Sequence, residues 1–155
     1  AHLVLSTLHT NDAPSTINRL MNMGIEPFLV STSVNLICAQ RLVRRICKEC
    51  KEQTQMPPQA LVDVGFSEEE APGLKLHKGR GCGSCNNTGY RGRVGLFEVM
   101  EISEEIRELI LSGASAMELR RKAIEEGMIS LRLSGLVKIR NGNTSVEEVV
   151  RETVL

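Results

Sequence analysis

Leu3-Val4-Leu5 is a short apolar run that turns polar through Ser6, Thr7, His9, Thr10 and Asn11. A buried strand of a parallel sheet, ending where ligands usually sit, reads this way. Asn11 or Asp12 is placed to N-cap a helix whose first turn holds Pro14. Ile17, Leu20 and Met21 follow at i, i+3, i+4, and Gly24 stops it. Pro27 opens a second helical stretch, with Phe28, Leu29, Val34, Ile37, Cys38 and Leu42 as its apolar positions. Far along the chain, Val94 to Ile102 reads as a strand. The residues after it predict short amphipathic helices, starting with one that Ser103 caps and Gly113 ends. Ser115 with Glu118 is a capping-box pattern for the next, stopped by Gly127. Leu133, Leu136 and Val137 mark a third, ending near Asn141-Gly142, and Thr144 with Glu147 is a second capping-box pattern before Val146, Val149 and Val150.

Between these regions the pattern fails. Residues 47–92 are broken by Pro57-Pro58 and Gly79-Arg80-Gly81, and only Leu61, Val62 and Val64 suggest a short helix. So little apolar surface predicts a segment that needs a staple to fold.

Composition narrows the class. The 155 residues hold 41% hydrophobic and 25% charged residues, enough for a packed core. No run reaches the roughly 18 apolar residues of a membrane span, and no secretory signal pattern opens the chain. It begins Ala1-His2-Leu3, without Met and already inside an apolar run, as a piece of a larger protein would. Formal net charge is zero and aromatics are only 3%, which argues against nucleic acid as a partner. The charge is unevenly spread: residues 41–97 hold ten basic and six acidic residues, and no acid lies between Ala71 and Phe97.

That basic segment also carries four of the five cysteines. Cys47-Lys-Glu-Cys50 and Cys82-Gly-Ser-Cys85 form two CxxC knuckles with 31 residues between them. Two residues between cysteines let both thiolates face one ion, and the second knuckle completes a tetrahedral four-sulfur site for structural Zn²⁺. The interval exceeds the about 15–20 residues of a compact zinc ribbon, so the intervening chain is expected to form its own excursion. Two disulfides or a redox pair are the competing readings; both rank lower without a secretory signal and with duplicate glycine-flanked knuckles. Four thiolates on Zn²⁺ leave a double negative charge, which Arg44, Arg45, Lys48, Lys51, Arg80, Arg91 and Arg93 are placed to offset. Cys38 reads as a core residue.

Leu3-Val4-Leu5-Ser6-Thr7-Leu8-His9-Thr10-Asn11, then Ala39-Gln40-Arg41-Leu42-Val43-Arg44 running into Cys47-x-x-Cys50, then Cys82-x-x-Cys85 with Thr88-Gly89-Tyr90 and Gly92-Arg93, occur in an order that resembles the type II secretion and type IV pilus assembly ATPases. The resemblance runs the length of the chain, through Gly127-Met128 and Thr144-x-x-Glu147-Glu148-Val149, and looks closest to the pilus-extension type.

The resemblance implies an α/β fold: the C-terminal portion of a RecA-like ATPase domain (1–46), a four-cysteine zinc subdomain (47–92), and a strand with a small helical subdomain (93–155). It implies a homo-hexameric, cytoplasmic motor using ATP and Mg²⁺, docked on an inner-membrane platform protein and peripheral to that membrane. His9 would belong to the family's His box, reaching the γ-phosphate side of the nucleotide. Arg93 matches an arginine implicated in ATPase function, and Cys47, Cys50, Cys82 and Cys85 match the zinc ligands. His2 and His77 are assigned nothing. No GxxxxGK[ST] occurs in these residues, so the phosphate loop and the Mg²⁺-holding carboxylates would lie elsewhere, and this chain alone would be inactive. The rival class is a non-enzymatic zinc module, chaperone-like or nucleic-acid-binding.

Overall fold

The computed structural model describes residues 2–155, a mixed α/β chain. Its elements are α1 (Ala13–Asn22), α2 (Pro27–Ser33), β1 (Leu36–Ile46), β2 (Lys51–Thr54), α3 (Pro58–Val64), β3 (Leu76–Gly79), β4 (Tyr90–Glu101), α4 (Glu104–Leu111), α5 (Ala116–Glu125), α6 (Leu131–Arg140) and α7 (Val146–Glu152). β1 pairs with β4, and β2 pairs antiparallel with β3, setting Lys51 opposite Gly79 and Thr54 opposite Leu76. Two compact units result, one from the residues up to Ala39 with Glu98–Ile129, the other from Gln40–Phe97 with Ser130–Leu155.

In the first unit α1 packs on α2 and α5, and α4 on α2 and α5. Ile17, Met100, Ile106, Ile110 and Leu119 are its fully buried large apolar side chains. The helix starts follow the sequence reading. Asp12 accepts from the Ser15 amide at 2.9 Å, and Ser103 accepts from Ile106. The Ser115–Glu118 capping box closes at 2.7 Å and 3.3 Å. Each such cap is worth about 1 kcal/mol. Arg107 on α4 donates to the Ser31 carbonyl of α2.

In the second unit Leu61, Val64, Phe66, Ala71 and Leu76 share one core with Leu136, Ile139, Val146 and Val149. The excursion between the knuckles therefore has an apolar anchor on α6 and α7, which its own composition does not reveal. Helices α6 and α7 approach closely at Gly135, where a Cβ would stand 2.4 Å from a Val149 methyl. Arg132, buried on α6, donates to the Thr153 hydroxyl and carbonyl and to the Val64 carbonyl.

Four expectations are corrected. Leu3, Val4 and Leu5 lie in no strand and are 83, 78 and 88% exposed. A buried parallel strand needs hydrogen-bonded neighbours and covered faces, and neither two-stranded sheet reaches these residues. The second helix stops at Ser33, and Ile37, Cys38 and Leu42 belong to β1, where pairing with β4 overrides their helix-like spacing. Cys38 is exposed there, not core. The last helix is capped by Ser145, one residue beyond Thr144. The Thr144 hydroxyl is taken up by the Arg44 carbonyl, 2.8 Å away.

Candidate functional site

Each knuckle sits where one strand hands over to the next. β1 ends at Ile46, the Cys47 amide donates to the Gly89 carbonyl at 2.9 Å, and β2 begins one residue after Cys50. β3 ends at Gly79, and the Arg80 amide then donates to the Cys50 carbonyl at 3.0 Å, laying the second knuckle across the first. A tight turn at Gly83–Cys85, followed by Asn86 and Asn87 at φ 53° and 60°, returns the chain to Gly89 and into β4. The crossing tolerates no side chain. A Cβ on Gly79 would stand 2.0 Å from the Gly89 carbonyl oxygen, and one on Gly89 would stand 2.6 Å from that of Gly79.

The four sulfurs converge as the spacing predicts. Sγ of Cys47 lies 3.9 Å from Cys82, Cys50 lies 3.8 Å from Cys85, and Cys82 lies 3.7 Å from Cys85. All four are within 4.8 Å of one another. A disulfide at about 2.05 Å is ruled out for these pairs. Four sulfurs at about 2.3 Å from one tetrahedral ion stand about 3.8 Å apart, so the donor set can hold a metal ion.

The backbone is also arranged for sulfur. Amides of Cys82 and Gly89 each donate to Cys85 Sγ at 3.3 Å, and Gly81 donates to Cys50 Sγ at 3.3 Å. Without an ion the Cys50 and Cys85 thiols differ. Burial pushes the Cys50 thiol up to about 11. For Cys85 burial acts in the same direction, but its two amide donors prevail and bring it down to about 6. A bound cation would let all four ionise together.

The expected counter-charges divide. Arg44 does not serve the sulfurs: its guanidinium pairs with the buried Glu148 at 2.6 Å and lies over the Tyr90 ring at 4.2 Å. Lys48, Lys51, Arg80, Arg91 and Arg93 are exposed. Lys51 stands beside His77, and burial, then Lys51 and Lys75, lower the imidazole's affinity for a proton.

His9 is exposed and lies in the first unit, three residues before the Asp12 cap; Arg93 is exposed on β4 in the second. Two carboxylates were given no role by the sequence, Glu148 on α7 and Glu98 on β4, both fully buried. For Glu98 a signal existed. It alternates with Leu96 and Met100 on the inward face of β4, where an acid is out of place unless it has a partner.

No helix among the described residues is long and apolar enough to cross a membrane. A family model described as type II/IV secretion system protein matches residues 1–151. The type IV pilus assembly ATPase PilB of Myxococcus xanthus is 54% identical over 153 residues, 98% of this chain and 27% of that protein. PilB of Thermus thermophilus is 45% identical over 99% of this chain and 17% of its own length. The type II secretion system ATPase E of Vibrio cholerae is 46% identical over 98% of this chain and 30% of its own. The chain thus spans less than a third of the length of these relatives.

Proposed function

Since the chain belongs to the type II/IV secretion system protein family, we propose that it is the C-terminal region of a hexameric motor ATPase that drives pilin polymerisation in type IV pilus assembly, or pseudopilus assembly in type II secretion. The observation that carries this is the match to pilus assembly ATPases over 98% of the chain at up to 54% identity. In this reading residues 1–46 complete a RecA-like core. Residues 47–92 form the zinc subdomain and 93–155 the strand and helical subdomain. The motor works in the cytoplasm, held at the inner membrane through a platform protein.

Zn²⁺, held by Cys47, Cys50, Cys82 and Cys85, would supply the positive charge that fixes four thiolates and so ties the knuckles together. Its role is structural: four protein ligands leave no open position for a substrate. His9 can donate one hydrogen bond to a phosphate oxygen from a neutral imidazole, with charge attraction added when protonated. Its exposure in the segment leading into α1 leaves it free to meet a nucleotide held by other residues. Arg93, also exposed, is assigned to nucleotide or phosphate contact. ATP and Mg²⁺ are bound by the complete motor.

The 155-residue chain alone should show no Mg²⁺-dependent ATP turnover, because it holds no phosphate-cradling loop to stabilise transfer. In the full-length protein, His9→Ala should lower turnover by about 10–10³-fold, the range for one lost polar contact in the transition state. Nucleotide affinity should change far less, and metal content not at all. Normal turnover by the His9→Ala motor would remove His9 from the mechanism. Turnover by the isolated chain would overturn the division of labour.

A further inference from the structure

α1 starts four residues after His9, and its first amides are satisfied in an instructive way. A helix leaves its leading N–H groups without internal partners. Here the Ser15 amide goes to Asp12, and Pro14 has no N–H. The Ala13 amide goes to Glu98 Oε1 at 2.8 Å, across 85 positions of sequence. Around it the local ties are short-range. The Thr10 and Thr16 hydroxyls share a 2.8 Å hydrogen bond, and Thr16 also donates to the Asp12 carbonyl. Of these bonds, only that from the Ala13 amide to Glu98 fastens the start of α1 to a strand.

Packing does not explain an acid at this place. Glu98 is 0% exposed and shares its face of β4 with Leu96 and Met100, so an apolar side chain would fill the space without the cost of burying a polar group. What a carboxylate adds is an acceptor at a fixed point. His9, by contrast, is exposed, so its position follows the backbone that leads into Ala13.

We propose that Glu98 is a positioning residue for His9: by holding the Ala13 amide it sets where the His9 segment stands and so where the imidazole meets a nucleotide phosphate. This rests on the reading of His9 as a phosphate contact. Displacing a reacting group by about 1 Å can cost on the order of 10²-fold in rate. An acceptor moved or deleted at residue 98 should therefore act on kcat with little effect on the KM for ATP.

The test uses the full-length motor carrying Glu98→Gln, Glu98→Asp, Glu98→Ala and His9→Ala, and each Glu98 variant combined with His9→Ala. Glu98→Gln keeps an acceptor at the same reach and should retain most of kcat. Glu98→Asp withdraws the acceptor by one methylene, and Glu98→Ala deletes it; both should lose kcat by about 10- to 100-fold, with KM changed less than threefold. In the His9→Ala background these losses should vanish, since residues acting through one contact are not additive. If Glu98→Ala fails to fold, the Asp and Gln variants decide alone. The inference is overturned if Glu98→Asp keeps full kcat while His9→Ala does not, or if the losses multiply in the double variants. If His9→Ala itself leaves turnover unchanged, the phosphate reading of His9 fails and takes this inference with it.

Discussion

Chelating the metal should melt the two knuckles and leave residues 58–79 packed. The amides of Gly81, Cys82 and Gly89 that donate to sulfur should lose their exchange protection first, because a neutral thiol accepts more weakly than a metal-bound thiolate. Amides near Leu61, Leu76, Leu136 and Ile139 should keep theirs, since that core contains no sulfur ligand. Structural zinc contributes about 10–16 kcal/mol to folding in isolated zinc fingers. Less should be lost here, because apolar contacts hold the excursion independently. Cys85→Ser should be the more damaging of the single ligand changes at Cys85 and Cys50, for Cys85 takes two backbone amides and Cys50 one. We expect it to cost about 3 kcal/mol or more and to abolish stoichiometric metal. Cys38→Ser, at an exposed position, should stay within about 0.5 kcal/mol and serves as the control. Amide exchange with and without chelator, with metal analysis of the serine variants, reads all of this. Unchanged protection at the knuckles would sink the structural role, and simultaneous loss over the whole of 47–92 would sink the independence of its core.

That division between knuckle and core marks what the sequence could and could not tell. The four ligands were legible because spacing alone dictates them: two intervening residues turn two sulfurs the same way. Caps at Ser103 and Ser115 were legible for a similar reason, as their partners lie three residues away. Features decided by distant partners were not. Leu36–Ile46 carries helix-like spacing, yet β4, more than forty residues further on, makes it a strand. Residues 58–76 look too sparse for a core because half of that core sits on α6 and α7. Thr144 looks like the cap, but the Arg44 carbonyl takes its hydroxyl and leaves the amide of Glu148 to Ser145. The basic run near the cysteines looked like compensation for thiolates, and its Arg44 is in fact committed to a carboxylate 104 positions away.

Arg44→Ala should be strongly destabilising although it lies outside the four-cysteine site. Glu148 is 0% exposed and accepts from the Arg44 amide at 2.8 Å, from its Nε at 2.9 Å and its Nη2 at 2.6 Å. Arg151 adds a contact at 3.0 Å. The Arg44 guanidinium rests on Tyr90, whose hydroxyl shares a 2.6 Å hydrogen bond with Ser145, the cap of α7. One arginine thus joins β1, the start of β4 and α7. Removing it leaves a buried carboxylate with half-exposed Arg151 as its remaining cation. Breaking a buried pair costs about 3–5 kcal/mol; because the Arg44 side chain is 42% exposed, we expect somewhat less, about 2–3 kcal/mol. At this chain length that lowers Tm by about 5–10 °C. Arg44→Lys should rescue little, since an ammonium can neither fork onto the carboxylate nor stack equally on the ring. The acid limb supplies an independent check. Burial works to raise the pKa of Glu148, but the Arg44 hydrogen bonds prevail and hold it below the usual carboxylate range. Its stabilisation is therefore complete above the unfolded value of about 4.3 and is lost as pH falls through the lower folded value. In Arg44→Ala the main lowering contact is gone and burial remains, so the acid-side loss from Glu148 should shrink or reverse, and the Tm gap between variant and parent should narrow as pH falls. Thermal melts between about pH 3 and 8 measure both effects. A Tm within 2 °C of the parent, or an unmoved acid limb, would mean that α7 is held by its apolar face and not by this arginine.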